Sequence, residues 1–112
     1  MMIEKIVLDY LSSKLDVPVL MEEPEQKEKR YILLEKTGSG RKNYIWNATI
    51  AIQSYGPSLY EAAELNESVK RAMKDIVGLD QICACEINSD YNFTDPETHR
   101  YRYQAVFELV HY

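Results

Sequence analysis

Residues 43–54 read Asn43-Tyr44-Ile45-Trp46-Asn47-Ala48-Thr49-Ile50-Ala51-Ile52-Gln53-Ser54. Tyr44, Trp46, Ala48, Ile50 and Ile52 alternate with Asn47, Thr49 and Gln53. This is the period of two that marks a strand with one apolar and one mostly polar face. Such a strand needs neighbours and a cover on one side. Immediately upstream, Tyr31–Lys36 reads as a second strand. Thr37-Gly38-Ser39-Gly40 is expected to be the turn between the two, because glycine takes positive φ without cost. Gly38-Ser39-Gly40 is not a phosphate loop, since no helix N-terminus follows it.

Downstream, Gly56-Pro57 breaks the strand and Ser58-Leu59-Tyr60-Glu61 has capping-box spacing. A helix follows, with Ala62, Leu65, Val69, Ala72, Met73 and Ile76 on one face. Glu64, Glu67, Arg71 and Asp75 fall on the other, where Glu67 and Arg71 are spaced as an i,i+4 pair. Gly78 is expected to close the helix as a C-terminal cap.

The remaining segments follow the same logic. Ile3, Ile6, Val7, Tyr10 and Leu11 form the stripe of an N-terminal helix, with Leu8 off the stripe and read first as a surface residue and second as part of a contact with another subunit. Pro18 confines the short run Val17–Met21 to a sheet edge. Glu22–Arg30 is charged and reads as a solvated loop. Gln81–Phe93 and Tyr101–Tyr112 are strands joined through Asp95-Pro96, with Tyr101, Tyr103, Ala105, Phe107 and Leu109 on one side. The order is α-β-β-β-α-β-β in one domain, residues 1–112. The expected fold is α+β, an antiparallel sheet of about five strands with two helices on one face.

Composition narrows the function. A chain of 112 residues supports one core, and 46% hydrophobic content is that of a globular domain. A net charge of −5 argues against general nucleic-acid binding, which needs clustered Lys and Arg. No apolar run approaches the roughly 20 residues that span a bilayer. Met1-Met2-Ile3-Glu4-Lys5 is not the start of a signal peptide, so the protein is expected to stay where it is made. Cys83 and Cys85 are two apart, which on a regular strand turns both to the same face. With only His99 and His111 as histidines they lack the partners of a zinc site, and reduced, metal-free thiols are expected. Glu25-Gln26-Lys27 has the Glu-x-Lys spacing of some metal-dependent nucleases but sits in a loop. No Ser/His/Asp or Cys/His set is evident. The sequence therefore leads to no catalytic residue, no metal site and no cofactor.

Asp95-Pro96-Glu97-Thr98-His99-Arg100-Tyr101-Arg102-Tyr103-Gln104-Ala105 resembles the C-terminal hairpin of the tail-terminator, or tail-completion, proteins of long-tailed phages, small prophage-encoded structural proteins. Leu34-Glu35-Lys36-Thr37-Gly38-Ser39-Gly40 is similar to that family's second strand and glycine turn. Ala51-Ile52-Gln53-Ser54-Tyr55-Gly56-Pro57-Ser58, leading into Glu61-Ala62-Ala63, is similar to its strand-to-helix junction. The order of these motifs covers nearly the whole chain. His99 departs from the pattern, standing where glycine is expected in the turn. The resemblance implies a virion structural protein with an α/β fold, without catalysis or cofactor. It would form a ring, usually of six subunits, that caps the tail tube, stops its growth and meets the head connector. The implied partners are copies of itself, the tail-tube protein and the head-tail connector. The implied location is the virion tail, and the host cytoplasm before assembly.

The expected interface is the cluster Arg100, Tyr101, Arg102 and Tyr103, with Arg41 and Lys42, because aromatic residues and arginine anchor protein contacts, whereas Trp46 and Phe107 are expected to serve core and strand packing. Glu22–Arg30 and Gly38–Lys42 are expected to be mobile in a free subunit and to order on assembly. Two other functions fit the sequence. One is a different neck component, a connector or stopper. The other, from a separate class, is a small enzyme or nucleic-acid-binding module.

Overall fold

The computed structural model describes residues 2–25 and 29–112. Gln26 and Lys27 of the Glu-x-Lys tripeptide, and residues 26–28 of the charged loop, lie outside the described residues. The elements are α1 (Ile3–Lys14), β1 (Val19–Leu20), β2 (Tyr31–Lys42), β3 (Ile45–Gly56), α2 (Leu59–Lys74), a 3-10 turn (Ile76–Gly78), β4 (Ile82–Asn92) and β5 (Tyr101–His111). They make one five-stranded sheet in the order β1-β2-β3-β5-β4, with both helices on one face. The α+β architecture and its element order are those read from the sequence. The sheet is mostly antiparallel; the exception is β1, whose two residues pair in parallel with Ile32 and Leu33 of β2.

The core is the space between helices and sheet. Ile32 and Leu34 of β2, Ala48, Ile50 and Ile52 of β3, and Ala105, Phe107 and Leu109 of β5 supply the floor. Ile3, Val7 and Leu11 of α1 and Leu65, Val69 and Met73 of α2 supply the roof, and all are buried. The Tyr10 hydroxyl donates to the Ala72 carbonyl at 2.6 Å and ties the two helices together. Leu8, expected at the surface, is half-buried against this core. Half of the expected capping box forms: Ser58 Oγ accepts from the Glu61 N–H at 3.2 Å, while the Glu61 carboxylate takes the Ser58 hydroxyl at 3.1 Å rather than the Ser58 backbone N–H.

The β2–β3 turn differs from expectation. Gly38, Ser39 and Gly40 lie inside β2, paired with Thr49, Ala48 and Asn47, and no glycine has positive φ. A β-bulge between Lys36 and Gly38 takes up Thr37. The chain reverses instead at Asn43 and Tyr44, with φ of 51° and 68°. Positive φ at both central residues is the primed two-residue turn that matches strand twist. The segment Gly38–Lys42 is therefore strand rather than loop. Trp46 lines a hollow with Met2, with Ile3 and Glu4 at the start of α1, and with His111, and is 41% exposed, where core packing was expected. Phe107 is buried, as expected.

Three smaller expectations are corrected. Gly78 ends the 3-10 turn in an ordinary right-handed conformation, and Asp75 caps α2. Glu67 pairs with Lys70 at 2.8 Å rather than with Arg71, which bonds Ser68 Oγ. Lys70 also reaches Asp90 at 2.5 Å, and Asn66 Nδ2 donates to the same carboxylate at 2.6 Å, which fastens α2 to β4. The two cysteines do not share a face-on environment, because a bulge between Ile82 and Ala84 breaks the alternation. Cys83 is exposed, whereas Cys85 packs against the core; both are free thiols.

A candidate interface on the open side of the sheet

Opposite the helices, the sheet has a second face. Register puts Tyr31, Leu33 and Glu35 of β2 beside Tyr55, Gln53 and Ala51 of β3 there, followed by Arg102, Gln104 and Val106 of β5. The helix face receives Tyr101 and Tyr103 instead, since successive strand residues point to opposite sides. The expected cluster Arg100–Tyr103 is thus divided: its arginines lie on the open face and its tyrosines do not. Arg41 and Lys42 are elsewhere again, at the tip of the β2–β3 hairpin, where β3 pairs Trp46 with His111 of β5. The arginine corner sits where Gly56 pairs with Tyr101.

The arginine corner is built around two tyrosines. Tyr31 and Tyr55 are cross-strand partners whose rings stack at 4.4 Å with planes 9° apart. Both are almost fully buried although no helix covers them. Arg100 lies over them, 4.9 Å from the Tyr55 ring centroid and 5.8 Å from that of Tyr31. Arg102 sits between Tyr55 at 5.6 Å and Phe93 at 4.4 Å. Each such cation–π contact contributes about 0.5–1 kcal/mol when exposed and more when dry.

Polar contacts lock the same groups. Arg102 donates through Nε to the Phe93 carbonyl at 2.7 Å and through Nη1 to the Tyr55 hydroxyl at 2.7 Å. The Tyr55 hydroxyl lies 2.9 Å from Gln53 Oε1 and 3.3 Å from Glu23 Oε1, with one proton to give. Glu23 Oε2 accepts from the Tyr31 hydroxyl at 3.0 Å and from Arg100 at 3.3 Å, and Arg100 also bonds the Tyr31 hydroxyl. Burial alone would raise the Glu23 carboxyl; the Tyr31 hydrogen bond and the Arg100 charge outweigh it and hold Glu23 below the usual carboxylate range. Burial, then the Glu23 hydrogen bond, pushes the Tyr31 phenol well above its ordinary value. Burial raises the Tyr55 phenol too, against the Arg102 hydrogen bond and charge that favour its ionised form. Neither phenol is poised to act as a base near neutral pH.

The connection Phe93–Arg100 is held by its own turn. The Asp95 carboxylate accepts from the Glu97 N–H at 2.9 Å, which with Thr98 keeps it below the usual carboxylate range. His99 has φ of 56°, so a histidine adopts the left-handed backbone that glycine would take there. The residues missed by sequence reading are Glu23, Tyr31, Tyr55 and Phe93. Only the register reveals Tyr31 and Tyr55 as partners, and nothing local in the sequence directs Glu23 to them.

At the hairpin tip, Arg41 stacks over both Tyr44 and Trp46, each at 5.4 Å. Tyr44 is 81% exposed, and Ile45 and Trp46 are each more than 40% exposed. Among the described residues, no three His, Cys, Asp or Glu side chains gather as a metal site would require. No helix among them is long and apolar enough to cross a membrane.

Comparison with known proteins returned no matching family model and no matching curated protein.

Proposed function

We propose that the protein is a structural component of a phage tail, a tail terminator that closes as a ring on the end of the tail tube and meets the head connector. The reading begins from the three stretches of sequence that resemble that family. The structural observation that supports it best is the open face of the sheet. Both helices lie on the other side, so Leu33, Val106 and Val110 are only half-buried. They alternate with the hydrogen-bonded pairs Thr49–Glu108 at 2.9 Å and Gln53–Gln104 at 2.9 Å. A face mixing apolar and polar groups has the composition of an ordinary protein–protein interface. Net charge of −5 suits a ring through which DNA must pass without being retained.

Electron microscopy of the purified protein mixed with purified tail tubes tests the proposal. Density capping one end of each tube is expected. Absence of both rings and tube-end binding would overturn it. Binding to the connector without the tube would move the protein to another position in the neck.

A further inference from the structure

The two ends of the subunit differ in charge. Residues 41–47, the hairpin tip, hold Arg41 and Lys42 and no acid, while Lys36, further back on β2, pairs with Glu4 of α1 at 3.5 Å. The whole chain has 13 basic and 18 acidic residues; without Arg41 and Lys42 the remainder carries −7. The opposite end gathers carboxylates from three segments: Glu22, Glu23 and Glu25 before β2, Glu61 in the first turn of α2, and Asp95 and Glu97 between β4 and β5. Among the described residues the cations there are Lys29, Arg30, Arg100 and Arg102, of which Arg100 is bonded to Glu23 and Arg102 to Tyr55 and Phe93. Twelve-residue strands are about 40 Å long, so these two ends lie apart along the molecule's 44 Å dimension.

Each end also exposes large apolar groups. The tip presents Tyr44, Ile45 and Trp46; the acidic end presents Leu59, 76% exposed Tyr60, and Phe93. A separate observation marks the tip. The second residue of a primed turn with positive φ at both positions favours glycine, and Tyr44 holds it at φ of 68°. A bulky residue kept in the left-handed region is an unfavourable local choice that an exposed aromatic contact would explain.

We infer that the protein associates with itself head to tail, the basic aromatic hairpin tip of one copy docking on the acidic Leu59–Tyr60 end of the next. This rests on the ring proposed above and names the contact that makes it. The occupant is a second copy because the complementary charge and exposed aromatics are both on this chain. A contact between unlike surfaces gives a ring when it closes. Opposite potentials steer the encounter and make it salt-sensitive.

Sedimentation velocity with three charge-reversed variants tests the contact. Wild type is expected to associate at low salt and dissociate at high salt. Arg41→Glu with Lys42→Glu, and separately Glu22→Lys with Glu97→Lys, should each weaken association at least tenfold. The variant carrying all four changes has both ends reversed and should recover it, with the wild-type net charge. Circular dichroism checks folding of each. Unchanged association in either double variant overturns the inference, as does failure of the folded quadruple variant to recover, or a wild type monomeric at about 1 mM. Tube capping is scored separately. Tubes capped by wild type, with association indifferent to these charges, would remove this contact and leave the terminator reading standing.

Discussion

Replacing either of two glycines with alanine should change stability in opposite directions. A Cβ on Gly56 would lie 2.7 Å from the Ala62 nitrogen, 3.0 Å from the Glu61 carbonyl carbon and 3.1 Å from the Ala62 Cα. All three are backbone atoms in the first turn of α2. That turn has little freedom to retreat, since the Ala62 N–H donates to the Ser58 carbonyl at 3.0 Å and the Glu61 N–H is held by the Ser58 cap. Overpacking of this kind costs about 1–3 kcal/mol. Loss of glycine's freedom in the unfolded chain returns about 0.4–1 kcal/mol. Gly56→Ala should therefore lose about 1–2 kcal/mol. With an unfolding entropy of about 2.1 cal/mol/K per residue, the melting temperature falls by roughly 4–8 °C. At Gly78 an added Cβ meets nothing within 4 Å and φ is not positive. Gly78→Ala keeps only the unfolded-state benefit and should raise the melting temperature by about 2–4 °C. Calorimetry or thermal circular dichroism on the three proteins, at one pH and concentration, measures both. A Gly56→Ala protein that melts at or above wild type would refute the close strand–helix approach on which the calculation rests.

Other consequences are as direct. Burial and the neighbouring Glu86 charge push the Cys85 thiol up to about 11. At pH 8 iodoacetamide should thus modify exposed Cys83 much faster than the partly buried Cys85 in native protein, and equal rates would contradict this. Glu23→Gln should lower the melting temperature at pH 7. Because the Glu23 carboxyl is held below its usual range, its contribution is complete above the ordinary carboxylate pKa and disappears as pH falls through the lowered folded value. A gap between the two proteins that widens on acidification would show the sign to be wrong. Arg102→Glu removes the bonds to Phe93 and Tyr55 and two cation–π contacts, and should cost about 2 kcal/mol of subunit stability. Denaturant titration that finds it as stable as wild type would show that these Arg102 contacts do not hold the corner together.

The parts of the fold that were legible in the sequence are those governed by periodicity. The stripe Ile3–Leu11, the alternation Ala48–Ile52 and the Ser58 cap each report one local geometry, and each is present. What misled was glycine in a strand. Gly38 and Gly40 have the chemistry of a turn, yet the chain uses them beside a bulge and turns at Asn43-Tyr44, where only tertiary pairing reveals the preference. Trp46 was misplaced because alternation gives a side chain's face but not how fully that face is covered. The candidate interface was half legible. Arg100 and Arg102 were found by residue type, but their separation from Tyr101 and Tyr103 depends on register. Glu23 could not be found at all, since its role arises from contacts 8, 32 and 77 residues away along the chain.

The brevity of β1 has a consequence for how the amides of β2 meet solvent. Its two residues cover only Ile32 and Leu33, so from Leu34 to Lys42 the outer side of β2 has no paired strand among the described residues. On an edge strand, amides that point inward are held by the neighbour and those that point outward are not. Deuterium uptake along this stretch should therefore be neither uniformly fast, as a loop would give, nor uniformly slow, as in a central strand. It should alternate residue by residue, lose phase where Thr37 bulges out, and resume toward the tip. The pattern is a ruler, and a neighbouring chain that adds itself as a sixth strand would erase it one amide in two.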